Sequence, residues 1–245
     1  MREPIVLTWS GGKDSVLALH YLRNSGQYQI RSLLTTITQD YDRISMHGVR
    51  SILLDEQAES LGFPLEKVFI SKNSSNEEYE TRMKEKLLFY QREGISCVVF
   101  GDLFLEDIRK YREDNLSKAS MKGIFPLWEK DTHELARQFI ALGFKAVIIC
   151  IDSQKLDKKF VGRYFDRQLL SDLPATVDPC GENGEFHSFV FDGPVFKNPI
   201  QFKIGDIVLR EKRFYFCDLI PQETEVRSQN KYNQSPEFCL LTPVF

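Results

Sequence analysis

Between an apolar run, Pro4 to Trp9, and an apolar-periodic stretch, Val16 to Leu22, stands Ser10-Gly11-Gly12-Lys13-Asp14-Ser15. The order is that of a buried strand, a tight glycine turn and a helix start. Such a turn aims several backbone N–H groups and the positive end of the helix dipole at one point, which makes an anion site. Gly11 and Gly12 let the backbone come close, and Lys13 adds a mobile positive charge. The chain must therefore hand a strand over to a helix beside a ligand, and the chemistry points to phosphate.

The rest of the first half repeats the strand-then-helix order. Lys13–Asn24 reads as a helix closed by Gly26, and Ile30–Ile37 as a second strand. His47–Leu61 has helical spacing with Gly62 as its stop, and Leu65–Ile70 is a third strand. Ser75 and Glu78 form a capping box for a long helix ending at Gly94, and Ile95–Phe100 is a continuous apolar strand. Strands alternating with helices predict right-handed crossovers and a doubly wound parallel sheet. Further on, Gly123–Trp128 reads as a strand, Asp131 and Glu134 cap a helix ending at Gly143, and Phe144–Ile151 is a strand. Phe160–Leu170 reads as a helix, followed by strands at Phe186–Phe191, Gly205–Leu209 and Arg213–Cys217. The change of character places a boundary near residue 130, giving domains 1–130 and 131–245, the second a smaller α+β unit. Its tail, from Pro221 to Phe245, is polar and then briefly apolar.

Composition excludes several classes. A formal net charge of −3 argues against a general nucleic-acid or anionic-membrane binder. No run approaches the ~18 apolar residues of a membrane span. Met1-Arg2-Glu3-Pro4 lacks a secretory h-region. Cys97, Cys150, Cys180, Cys217 and Cys239 are far apart and never in a C-x-x-C pair, so no zinc site or disulfide framework is indicated. The expectation is a reduced, cytoplasmic protein; the sequence leaves its oligomeric state open, homo-oligomer included.

In an open parallel sheet, ligands bind at the carboxyl ends of strands beside the first crossover. Ser10–Ser15, then Thr35, Thr36 and Thr38, then Gly101-Asp102 all fall there. A P-loop is excluded because Lys13 is followed by Asp14 and no glycine stands five residues before Gly12. The G-x-G-x-x-G fingerprint is absent as well. An acid directly after the lysine suits magnesium pyrophosphate, with Asp14 as a metal ligand; a first-turn carboxylate favouring the helix dipole is the alternative.

Ser10-Gly11-Gly12-Lys13-Asp14-Ser15 resembles the PP-loop of ATP pyrophosphatases, which cleave ATP between its α and β phosphates. The block Gly101-Asp102-Leu103-Phe104-Leu105-Glu106-Asp107-Ile108-Arg109-Lys110-Tyr111-Arg112-Glu113 narrows the resemblance to the diphthine–ammonia ligase family. Cys180-Gly181-Glu182-Asn183-Gly184-Glu185-Phe186-His187-Ser188-Phe189-Val190 does the same, with Asp192-Gly193-Pro194. The similarity runs from residue 5 to about residue 200. It implies a HUP-like fold of the adenine nucleotide alpha hydrolase type, with 1–130 as the ATP-binding domain and 131–245 as the substrate-binding domain. It also implies the reaction: diphthine on elongation factor 2, ATP and ammonium give diphthamide, AMP and pyrophosphate, with Mg²⁺.

That resemblance gives each residue an expected role. Ser10, Gly11, Gly12, Lys13, Asp14 and Ser15 would hold the phosphates, Leu34, Thr35 and Thr36 the adenine, and Gly101 the nucleotide from the next strand. Lys13, Asp102 and Arg109 would serve catalysis. Arg112, Glu182, Asn183, Glu185 and His187 would bind the acceptor, the two glutamates orienting a cationic group or ammonium. The family often has E-G-G-E where this chain has Glu182-Asn183-Gly184-Glu185, which questions the backbone role of Asn183. Lys110 and Glu113 read as a solvated helix face. His47 has two readings, in the crevice or on the surface. Other acceptors stay open: another carboxylate, a urea-like oxygen or a tRNA base. So does a nucleotide sensor without turnover.

Overall fold

A computed structural model describes residues 2–44, 47–72 and 75–222. Cys239 and the tail from residue 223 onward lie outside them. The first strand, β1 (Glu3–Thr8), is apolar from Pro4 to Leu7 because both its faces are covered: Ile5 and Leu7 enter one hydrophobic cluster and Val6 the other. The chain turns through Gly11 and Gly12 into α1 (Lys13–Ser25), which Gly26 ends in a left-handed conformation, φ 67°. Then come β2 (Tyr28–Thr38), a short β3 (Arg43–Ile44), α2 (Ser51–Leu61), β4 (Leu65–Ile70) and α3 (Asn76–Arg92). Ser75 caps α3 by accepting from Glu78 N at 3.2 Å. β5 (Cys97–Val99), α4 (Glu106–Ser117) and β6 (Lys122–Ile124) complete the first sheet.

β1, β2, β4, β5 and β6 are parallel, with β1 between β2 and β5 and β4 beyond β2. The order reverses at β1, so the Ser10–Ser15 turn leaves at the switch point, where the carboxyl ends of neighbouring strands part. β3 departs from an all-parallel sheet, adding two antiparallel residues at the far end of β2.

The second half begins with α5 (Thr132–Ala141), capped by Asp131, then β7 (Lys145–Asp152), α6 (Arg167–Asp172), β8 (Phe186–Asp192), β9 (Phe202–Arg210) and β10 (Phe214–Pro221). These four strands form an antiparallel sheet in the order β8-β7-β10-β9. One cluster of buried side chains runs from Ile5, Leu7 and Leu17 to Phe139, Ile149 and Phe189, so the two sheets share a core.

Three elements differ from their sequence expectation. The helix expected from His47 begins at Ser51, because Gly48 adopts φ 72° and Arg50 bridges back to Arg43. The strand expected over Gly123–Trp128 stops at Ile124, where Pro126 opens a turn. Phe160–Leu170 is not one helix. Gly162 N and Phe165 N donate to the carbonyls of Ile148 and Ala146, at 2.7 and 2.8 Å, which draws that segment along β7 in extended form before α6 starts.

Candidate active site

Ser10–Ser15 forms the floor of a crevice of about 790 Å³ that collects residues from the carboxyl ends of β1, β2 and β5 and from the Cys180–Ser188 segment. Gly11 is required by geometry. Its φ is 74°, and a Cβ there would lie 2.7 Å from Leu54 Cδ2 and 2.8 Å from Gln57 Oε1. Its carbonyl accepts from Val190 N at 2.9 Å and from Gln57 Nε2 at 3.1 Å. Gln57 also accepts from Trp9 Nε1 at 2.8 Å and donates to Val190 O at 2.6 Å. This fully buried amide on α2 thus welds the loop to β1 and β8.

Gly12 is the N-cap of α1 and has no side chain to satisfy the first turn. Lys13 N donates to Ser188 Oγ at 3.3 Å, Gly12 N to Ser10 Oγ at 3.2 Å, and Ser15 Oγ to Gly12 O at 2.8 Å. Gly101 packs against that turn: a Cβ there would lie 3.0 Å from the carbonyl carbon of Asp14. A side chain at this position would press on the α1 backbone at Asp14 and Ser15.

Lys13 is 3% exposed, and its Nζ donates to Asp14 Oδ2 at 2.9 Å and to the carbonyl of Cys180. Burial alone would lower its pKa, but Asp14, Cys180 and Glu182 outweigh that and hold the ammonium raised and charged. Burial raises the Asp14 carboxyl against the pull of Lys13. Its second oxygen, Oδ1, is buried without a hydrogen-bond partner. Glu182 lines the crevice, and its Oε1 accepts from Leu103 N at 2.9 Å. Burial pushes Glu182 up to about 7, with Asp14 adding to the shift and the Leu103 N–H opposing it. Asp178 shapes this turn, its Oδ2 accepting from Glu182 N at 2.9 Å and from Cys180 N at 3.2 Å.

Leu34, Thr35 and Thr36 line the same crevice, and Thr35 Oγ1 is buried and unpartnered. Asp102 and Arg112 line it as an ion pair, Nε–Oδ2 at 2.5 Å and Nη2–Oδ1 at 3.0 Å, with the guanidinium 4.5 Å from the Phe100 ring centroid. Arg112 is therefore committed to a protein carboxylate. Arg109 lies elsewhere. It does not line the crevice but pairs with Glu113 at 2.9 Å and stacks over Phe125 and Trp128, at 4.8 and 4.6 Å. Lys110 pairs with Asp114 on the solvated face.

Asn183 and Glu185 do not line the crevice. Glu185 is 3% exposed, and its Oε1 accepts from Asp178 N at 3.0 Å and Asn183 Nδ2 at 3.1 Å, so it braces the turn from behind. Asn183 is exposed, and its carbonyl accepts from Lys155. His187 does line the crevice, with His47 stacked on it at a centroid distance of 4.3 Å and 28° between planes. Burial and Lys13 lower His187 to about 4, and burial, His187 and Lys13 lower His47 well below the usual histidine range. Sequence reasoning missed Gln57, Asp178 and Ser188. Ser188 lies in the Cys180–Val190 block but its role shows only through the Lys13 amide, 175 residues away, while Gln57 and Asp178 stand outside any motif and act through distant partners or backbone contacts.

Family comparison matches residues 3–123 to the Diphthamide synthase N-terminal domain and residues 131–220 to the Diphthamide synthase C-terminal domain. Among curated relatives, the Bos taurus protein named diphthine–ammonia ligase is 24% identical over 253 residues, covering 94% of each chain. The Homo sapiens protein of that name is 24% identical, covering 93% of each. A Schizosaccharomyces pombe protein of that name is 25% identical over 81% of this chain, which spans only 36% of that longer relative. Among solved structures, the U34-tRNA thiolase NcsA from Methanococcus maripaludis with its [4Fe-4S] cluster is similar at TM-score 0.36 and 19% identity, covering 57% of this chain and 56% of the other.

Proposed function

The chain belongs to the diphthamide synthase family, and from that premise we propose that it is an ATP-dependent acid–ammonia ligase releasing AMP and pyrophosphate. The acceptor in this reading is the diphthine carboxylate of elongation factor 2, as the names of its relatives indicate for those proteins. Residues 1–130 hold ATP and residues 131–245 hold the acceptor.

The observation that carries the reading is the buried Lys13 at the N-terminus of α1, 2.9 Å from Asp14 and in one crevice with Glu182 and Asp102. An acceptor carboxylate oxygen attacks the α-phosphorus, the α–β bridging bond breaks, and pyrophosphate leaves. Ammonium loses one proton to water, the lone pair of the resulting ammonia attacks the acyl carbon, AMP departs with the C–O bonding electrons, and the nitrogen sheds one further proton to water. Negative charge grows on non-bridging and leaving oxygens, where preorganised donors are usually the largest catalytic contribution. Lys13, the first-turn amides of α1 and the Ser10 hydroxyl supply such donors, while the Ser15 hydroxyl, given to Gly12 O, holds the loop. With Asp14 paired to Lys13 and Asp102 to Arg112, Glu182 is the crevice carboxyl that, once ionised, would meet ammonium or the diphthine trimethylammonium.

The residues fit magnesium. Asp14 Oδ1 is a buried oxygen without a hydrogen-bond partner, in the crevice that would hold the phosphates. Mg²⁺ that keeps several waters and binds one carboxylate plus substrate phosphates matches that donor set. It would neutralise charge on the polyphosphate.

Wild-type protein with MgATP, ammonium and diphthine-bearing elongation factor 2 should release AMP and pyrophosphate in equal amounts. Lys13→Ala should release neither while keeping its circular dichroism. ATP binding without AMP formation under every acceptor tried would favour a nucleotide sensor, and AMP formation only with another carboxylate would move the acceptor.

A further inference from the structure

We propose that His47 contacts the β- and γ-phosphates of ATP, and that Asp218 is the positioning residue that delivers it to them. The proposal rests on the ATP reading above and is independent of the acceptor.

His47 belongs to neither sheet. It stands between β3 and α2, and two contacts from one register row of the second sheet fix its place. Phe216 on β10 is opposite Cys150 on β7, which is opposite His187 on β8, so all three side chains share the face turned toward the first sheet. At one end of the row the Phe216 ring meets Gly48, where a Cβ would lie 2.8 Å from Phe216 Cδ1. At the other, the His187 ring stacks on His47. Asp218 adds the grip. It accepts from Arg50 Nε at 3.0 Å and Nη2 at 2.6 Å and pairs with Arg43 Nη2 at 2.9 Å, while Arg43 Nη1 donates to Gly48 O at 2.7 Å. One carboxylate of the second sheet therefore holds both Arg43 and Arg50, which flank His47 in the chain.

The segment is held over the anion turn. A Cβ on Gly12 would lie 3.6 Å from His47 Cε1, so the imidazole stands directly over the residue that caps α1. Both histidines line the crevice. His47 Nδ1 is buried with no hydrogen-bond partner, a costly arrangement that a ligand oxygen would relieve. Burial, with His187 and then Lys13 adding to it, favours the neutral imidazole, which has one N–H donor and one acceptor nitrogen. Ionised phosphate oxygens accept only, so the N–H form suits them. Because the α-phosphate must remain open to the acceptor, the outer phosphates are the natural partners of a residue above the helix cap.

The test is calorimetric binding of MgATP and of AMP to the full chain. His47→Phe keeps an aromatic stack on His187 but removes the donor. It should weaken MgATP ~10- to 100-fold, the range of one hydrogen bond to a charged group, and leave AMP affinity unchanged. His47→Gln, which restores an N–H, should recover part of the loss. Asp218→Asn should weaken MgATP by a smaller factor and add nothing in the His47→Phe background. Unchanged MgATP affinity in His47→Phe would overturn the proposal. So would an equal loss for AMP, or additive effects of the two substitutions. Wild-type protein that binds neither nucleotide would instead refute the ATP reading itself.

Discussion

Gly11 and Glu182 show how much of the site rests on single atoms. Gly11 has a left-handed φ of 74° and no room for a methyl group beside Leu54 and Gln57. Gly11→Ala should destabilise the fold by about 2–4 kcal/mol, measured by urea unfolding, because strain and overlap add. Glu182 acts through its charge. Its carboxyl rises from 4.5 to about 7 on folding, so between those values the folded state binds more protons than the unfolded chain. Stability is then greatest at the acid end of that window and falls as pH rises through it. The fall is at most about 3 kcal/mol, less whatever water screens. Glu182→Gln should flatten the fall between pH 5 and pH 8 in ligand-free protein; parallel wild-type and variant curves would rule out the buried carboxyl as its cause.

Elements were legible in the sequence where one signal dominated. β1 reads as a strand because both faces are apolar, and α3 begins at Ser75 because its hydroxyl takes the Glu78 amide. Arg109 and Arg112, three apart on α4, read from the family resemblance as one catalytic and one acceptor-binding residue. The structure separates them, because Phe125 and Trp128 on the following turn capture one guanidinium and Asp102 captures the other. Long-range partners of that kind leave no local pattern. Gln57 is the strongest case: an unremarked polar residue of α2, it is fully buried and makes three hydrogen bonds to Trp9, Gly11 and Val190. Gln57→Ala should cost about 2–4 kcal/mol in denaturant unfolding, since it empties a core position and strands the Trp9 N–H and the Val190 carbonyl. A loss no larger than that of an exposed glutamine would show that the weld is not structural.

At the scale of the whole molecule, the crevice exists because the second sheet closes on the first. β8 donates Val190 N to the glycine loop, Ser188 receives the Lys13 amide, and Cys180 receives the Lys13 ammonium. Two carboxylates help hold the second sheet's strands and its grip on the first. Hydrogen bonds from Arg213 hold Asp152 below the usual carboxylate range, and those from Arg50, with Arg43, hold Asp218 there. Groups with depressed values stabilise the fold above their unfolded value of 3.8, and the contribution is lost as pH falls through the folded value. Asp152→Asn should therefore lower stability at pH 7 and make unfolding less sensitive to acid, measured by thermal melts from pH 7 to pH 2. No helix among the described residues is long and apolar enough to cross a membrane. The strand order and the composite crevice were only partly visible beforehand, since pairing between residues 11 and 190 depends on how two sheets meet.

The central claim is that Ser10–Ser15 clamps ATP for adenylation. The most direct measurement is exchange of radiolabelled pyrophosphate into ATP in the presence of diphthine-bearing elongation factor 2 and without ammonium. Reversible adenylation predicts exchange in the wild type, its loss in Lys13→Ala, and amide formation once ammonium is added. ATP cleaved to ADP and phosphate, with no pyrophosphate exchange, would contradict it.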